Sequence, residues 1–96
     1  MGPITTSYHE ADAQVTTAPA RLYGLLVGVT TAAANPKVIL KDGDSGGTVL
    51  FTANLGDAAL GPVYIPFPAD TYIRFDTKMY LDISGNVSDV TLFYQT

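Results

Sequence analysis

The chain predicts an all-β fold, a small antiparallel β-sandwich or jelly-roll of about seven or eight short strands. Three observations predict it. Runs rich in β-branched and aromatic residues are punctuated by Gly, Pro, Asn and Asp about every 8–12 residues. Within the clearest run, Lys78-Met-Tyr-Leu-Asp-Ile-Ser84, apolar and polar residues alternate with period two, as on a strand with one face buried. No segment carries the apolar stripe of a helix, which recurs every 3.6 residues.

Taken in order, residues 1–19 are polar and rich in threonine, with Pro3 and Pro19, and read as an N-terminal arm ahead of a sandwich domain over residues 20–96. Ala13–Ala18 allows at most a short strand. The arm is expected to pack on the edge of its own sheet or to reach a neighbouring subunit, because unpinned termini fray. Arg21–Val29 is a strand with apolar residues on both faces, as in the centre of a sandwich or beneath a partner. Strict alternation places Leu22, Gly24, Leu26 and Gly28 on one face, and Tyr23, Leu25, Val27 and Val29 on the other. The two glycines mark the close approach of another backbone or a bend.

Thr30–Pro36 is a loop whose alanine run is too short to hold a helix. Lys37–Asp42 and Thr48–Thr52 form a hairpin about the turn cluster Asp42-Gly-Asp-Ser-Gly-Gly47. After a loop over Asn54–Gly61, the prolines of Pro62-Val-Tyr-Ile-Pro66 suit an edge strand. Phe67–Asp70 then turns into a meander of three strands, Tyr72–Asp76, Lys78–Ser84 and Ser88–Gln95, divided by Asp76-Thr-Lys78 and Gly85-Asn86. Met79, Leu81 and Ile83, and in the last strand Val90, Leu92 and Tyr94, are the expected core face. Tyr72, Tyr80 and Phe93 fall on the other, polar face.

Composition narrows the function. A length of 96 residues gives one modest core, and 47% apolar against 15% charged residues argues against disorder and for a surface partly covered by protein. The net charge is −4, and the basic residues Arg21, Lys37, Lys41, Arg74 and Lys78 are scattered singly, so no nucleic-acid partner is expected. Without cysteine there are no disulfides or thiolate metal sites. The opening Met-Gly-Pro-Ile-Thr-Thr lacks the regions of a signal peptide, and no apolar run is long enough to span a bilayer as a helix. The expectation is a soluble chain folded inside a cell, without a membrane partner.

The constellations that carry chemistry are sparse, and no catalytic, cofactor-binding or metal-ligating residue is assigned. His9, the single histidine, lies in the polar arm and has no partner for a zinc site or a triad, so it is expected to be solvated. Asp42-Gly-Asp44 is similar to the start of a calcium loop but lacks the later glutamate and flanking helices, which favours a plain turn. Asp57, Asp76, Asp82 and Asp89 are the candidates for a carboxylate pair, and all occupy turns or solvent-facing strand positions. Gly46-Gly47 lacks the following Lys-Ser/Thr of a phosphate loop, and Asn86-Val-Ser88 reads as a turn.

The informative residues are rings on a polar face. Tyr72, Tyr80 and Phe93, with Tyr23, Tyr64 and Arg74 as neighbours, are the candidate interface of a homo-oligomer. They also suit a carbohydrate platform, although the tryptophan common on such platforms is missing. Arg74 is placed to stack on a ring or to pair with Asp82. On this reading Tyr80→Asp weakens assembly, whereas Leu81→Ala costs about 2–5 kcal/mol through a core cavity.

The segments Pro19-Ala-Arg-Leu-Tyr-Gly-Leu-Leu-Val27, Val38-Ile-Leu-Lys-Asp-Gly43, Ile65-Pro-Phe-Pro68, Tyr72-Ile-Arg-Phe-Asp-Thr-Lys-Met-Tyr-Leu81 and Val90-Thr-Leu-Phe-Tyr94 resemble the small β-sandwich structural proteins of tailed-bacteriophage virions. The resemblance covers about residues 19–95 and rests on strand layout and on the Arg-Phe-Asp-Thr-x-x-Tyr segment. It implies a non-enzymatic virion component made in the host cytoplasm, of the capsid-decoration or minor head or tail kind. Such a component docks on a major capsid or tail protein.

Overall fold

The β-rich runs pair into two antiparallel sheets in the structure, a computed structural model that describes residues 3–29, 36–55, 61–84 and 87–96. The strands are β1 (Thr5–His9), β2 (Ala13–Gln14), β3 (Ala20–Val29), β4 (Lys37–Asp42), β5 (Thr48–Asn54), β6 (Gly61–Pro66), β7 (Ile73–Phe75), β8 (Met79–Ile83) and β9 (Val87–Gln95). The alanine run within 30–35, the loop residues 56–60 with Asp57, and the Gly85-Asn86 turn lie outside the described residues.

The first sheet runs β1-β9-β3-β6, and the second β2-β8-β4-β5. Strand β3 organises the first. Its opening residues Ala20–Leu22 pair with β7 and its later residues Gly24–Val29 pair with β6, while β9 lies along its other side. Strand β6 is an edge, as Pro62 and Pro66 require, since each proline removes a ladder donor.

The core lies between the sheets. Leu22, Leu25, Val27, Phe75, Val90 and Leu92 from the first sheet and Val38, Leu40, Met79 and Leu81 from the second are fully buried in one cluster. Alternation along β8, and along β9 from Val90 onward, is as the sequence dictates. Along β3 it is not, because register slips between Leu22↔Tyr94 and Gly24↔Phe93 and leaves Tyr23 as an extra residue. This β-bulge reverses the parity of the strand. Leu22 therefore shares the inner face with Leu25, Val27 and Val29, while Tyr23 and Leu26 point outward, against the expectation that Leu22 and Leu26 share a face.

The N-terminal arm is stitched into the sandwich. Thr5–His9 forms the edge of the first sheet against β9, and Ala13-Gln14 the edge of the second against β8. Within the arm, Thr5–His9 and Ala13–Gln14 thus pack on the edges of the chain's own two sheets. The buried Thr16 fixes the crossing: its Oγ1 accepts from the Met79 N–H at 3.0 Å and donates to the Ala18 carbonyl at 2.8 Å. Nearby, the Gln14 side-chain amide donates to the carbonyls of Met79 and Gly43, and the Asp12 carboxylate accepts from the Ile83 N–H at 2.8 Å.

His9 is not simply solvated. Its place opposite Val90 turns it toward the inner side of the edge strand, where Nε2 hydrogen-bonds Ser7 Oγ at 2.8 Å, and burial lowers its pKa below the ordinary histidine value. A lowered folded-state pKa means that the unfolded chain takes up the proton first, so this contribution to stability is present above about pH 6.5 and is lost as pH falls through the folded value. His9→Gln is expected to narrow the drop in urea midpoint between pH 7.5 and pH 5, as read by paired denaturation curves.

The Asp42–Gly47 cluster is the β4–β5 hairpin turn. Asp44 accepts from the Gly46 N–H through Oδ1 and from the Gly47 N–H through its carbonyl, both at 2.9 Å, and Gly43 adopts a φ of 117°. The Asp42 carboxylate is committed elsewhere, accepting from the Thr77 N–H at 2.9 Å and so tying this turn to the one before β8. A Cβ at Gly47 would run into the Asp42 backbone carbonyl, which cannot swing away. Gly47→Ala is expected to cost about 1–3 kcal/mol in a thermal melt.

Candidate functional site

With the core residues turned inward, the outer face of the first sheet is set by register. One row across the sheet reads Tyr8, Thr91, Leu26, Tyr64, and the next Thr6, Phe93, Gly24, Pro66. At the end where β7 pairs with β3, Arg21 stands between Gln95 and Arg74. After Tyr23, Leu26 is the one large side chain that the rest of β3 presents here, since Gly24 and Gly28 carry none. Rings from the flanking strands β6 and β9 meet across this low strand: Tyr64 and Phe93 pack edge to face, with centroids 6.2 Å apart at 85°.

A second ring pair adjoins them. Tyr23 and Tyr72 lie 5.7 Å apart at 55°, Arg21 covers the Tyr72 ring at 4.9 Å, and the Tyr23 hydroxyl donates to Gln95 Oε1 at 2.8 Å. The rings remain open to solvent, with Tyr64 at 61%, Tyr8 at 58% and Tyr72 at 39% exposure. Pro62 and Pro66 are exposed beside them. Charge enters at one end, where the Asp89 carboxylate reaches over Gly28. The Tyr8 hydroxyl is pushed above the ordinary tyrosine value by loss of water around it and by the negative charges of Asp89 and Glu10.

Of the six candidate interface residues, Tyr23, Tyr64, Tyr72, Arg74 and Phe93 come together on this face. Tyr80 does not. It lies on β8 in the second sheet, half-buried on the opposite outer face, between Gln14 of β2 and Lys41 of β4. That face is mixed in character, with Ile39, Thr52 and a Lys41–Asp82 ion pair at 3.3 Å. Asp82 is thus the partner of Lys41 and not of Arg74, which instead holds Asp76 through Nε at 2.8 Å. The ring stacking proposed for Arg74 is made by Arg21.

The sequence reading missed Tyr8, Leu26 and Arg21. Tyr8 carried a signal, because Thr5-Thr-Ser-Tyr-His9 is itself a run of strand-forming residues, masked by its polarity. The described candidate carboxylates are dispersed. Asp82 faces outward on the second sheet, Asp89 outward on the first, and Asp76 follows β7 beside Arg74. Among the described residues no three or more His, Asp or Glu side chains are grouped to hold a metal ion, and no helix is long and apolar enough to cross a membrane. Comparison with family models, curated proteins and solved structures found no match.

Proposed function

We propose that this chain is a non-enzymatic structural subunit that self-associates and docks on a larger assembly through the outer face of its first sheet. The virion proteins its sequence resembles, of the capsid-decoration or minor head and tail kind, are the reading we adopt for that assembly. One observation carries it: Tyr8, Tyr64 and Tyr72 stand open to solvent on a single sheet face, with Leu26 and Phe93 beside them. A contiguous patch of rings and aliphatic groups loses free energy in water and gains about 25 cal/mol per Å² when covered. The molecule measures 38 × 29 × 18 Å, so a broad face has room for the roughly 800 Å² that each partner gives to a standard interface.

Size-exclusion chromatography with light scattering tests this. A defined oligomer, or co-sedimentation with virus particles, is expected; a strict monomer that fails to sediment with particles overturns the proposal. The alternative is a carbohydrate- or receptor-binding module, favoured by the tyrosine hydroxyls on the face, since flat rings with polar edges suit sugars. Saturable binding on a glycan array, lost in Tyr64→Ala with oligomeric state unchanged, would decide for it.

A further inference from the structure

A strand that ends a sheet shows a row of unpaired backbone N–H and C=O groups, and folded chains normally blunt such a row. Most of the open edges here are blunted. Strand β6 carries Pro62 and Pro66, β2 is two residues long, and β7 is three residues long with Arg74 at its centre. Strand β1 bears hydroxyl and imidazole groups and no aliphatic side chain. Strand β5 differs: Thr48-Val-Leu-Phe-Thr-Ala-Asn54 holds no proline and no charge, ends the second sheet, and pairs with β4 alone. Val49 is 51% exposed and Leu50 40%. The strand is interrupted by a bulge at Leu50, skipped between Lys41↔Val49 and Leu40↔Phe51, and from Phe51 to Asn54 its register is regular.

We infer that β5 pairs antiparallel with β5 of a second copy over Phe51–Asn54, joining two four-stranded sheets into one continuous sheet. An open edge is satisfied by an extended strand, and this edge offers no charge for a charged strand to meet. A second β5 meets it with the same uncharged, β-branched and aromatic side chains. Both edges are then used up together, and β2 at the far side is too short to carry growth further, so the pairing closes at two copies. Identical antiparallel strands in one sheet are related by a two-fold axis perpendicular to it. Both first sheets therefore lie on the same side of the joined sheet, and their outer faces, with Tyr8, Tyr64 and Tyr72, point the same way. Phe51 packs on Phe67 just after β6, with centroids 5.7 Å apart, so the paired edge is tied to the strand that carries Tyr64. The pair presents two docking faces to one surface, a use that rests on the assembly reading, although the pairing itself does not. A contact over Phe51–Asn54 is smaller than a standard interface, so pairing is weak between free chains and strengthens on docking.

Cross-linking of single-cysteine variants tests it, since the chain has no cysteine of its own. Thr52→Cys on β5 and Thr5→Cys on β1 each place an exposed thiol on an edge strand. With a short bismaleimide, Thr52→Cys is expected to form covalent dimers about tenfold faster than Thr5→Cys at equal concentration. Adding Leu50→Lys, which sets a lysine on the edge of each copy, should bring the rate down to the Thr5→Cys level with the melting temperature unchanged. Adding Tyr64→Asp instead should leave the excess in place, which separates this contact from the docking face. Equal rates for Thr52→Cys and Thr5→Cys overturn the inference and leave the assembly reading standing. An excess that survives Leu50→Lys, or that Tyr64→Asp removes, assigns the contact to another surface and overturns the inference as well.

Discussion

Phe75→Ala is expected to lower the free energy of unfolding by about 3–5 kcal/mol, read from the midpoint shift in urea denaturation. Phe75 is the largest of the fully buried side chains, and β7 contributes only Ile73, Arg74 and Phe75 to the first sheet. Removing the ring empties a space that core neighbours on both sheets can refill only in part. A chain of this size has a total stability of roughly 5–14 kcal/mol, so the variant is left near the edge of folding at 37 °C. Leu81→Ala, also fully buried, belongs to the same class at about 2–5 kcal/mol. A loss below about 1 kcal/mol for Phe75→Ala would mean that β7 is not packed as described.

Tyr64→Asp is expected to act on assembly and not on the fold. The ring is 61% exposed, so its replacement leaves the core untouched and the melting temperature nearly unchanged. If the face is the interface, a carboxylate among its rings is desolvated without a partner. A fully covered aromatic anchor is worth about 2 kcal/mol or more, so self-association should weaken on the order of 30-fold, visible as a shift toward monomer in sedimentation equilibrium. Tyr80→Asp serves as the contrast. It lies on the opposite outer face and should leave this association intact. Weakening by Tyr80→Asp alone would move the interface to the second sheet.

The comparison of Tyr64 with Tyr80 shows how much of the site was legible in the sequence. Both are tyrosines flanked on each side by apolar residues in short strands, and this pattern does not distinguish them. Arg74 and Asp82 made the same demand on longer-range knowledge, because a cross-strand partner is named by register, and β8 pairs with β4 and β2 instead of with β7. The polar strand β1 was harder to read. Thr5–His9 buries little of itself and is ordered by its ladder with β9, a source of stability that composition does not display.

What the sequence by itself determined is the all-β class, the positions of β3 to β9, and the inward set on β8 and β9: Met79, Leu81, Val90, Leu92 and Tyr94. Those follow from the two-residue repeat of an extended chain, a local property fixed by covalent geometry. The tertiary structure alone decided which outward residues share a face. It set Tyr8, Leu26, Tyr64, Tyr72 and Phe93 together, sent Tyr80 to the far side, and reversed the parity of β3 at Tyr23. Strand order and bulges arise from pairing between segments far apart in the chain, and the alternation within any one segment is compatible with many such pairings.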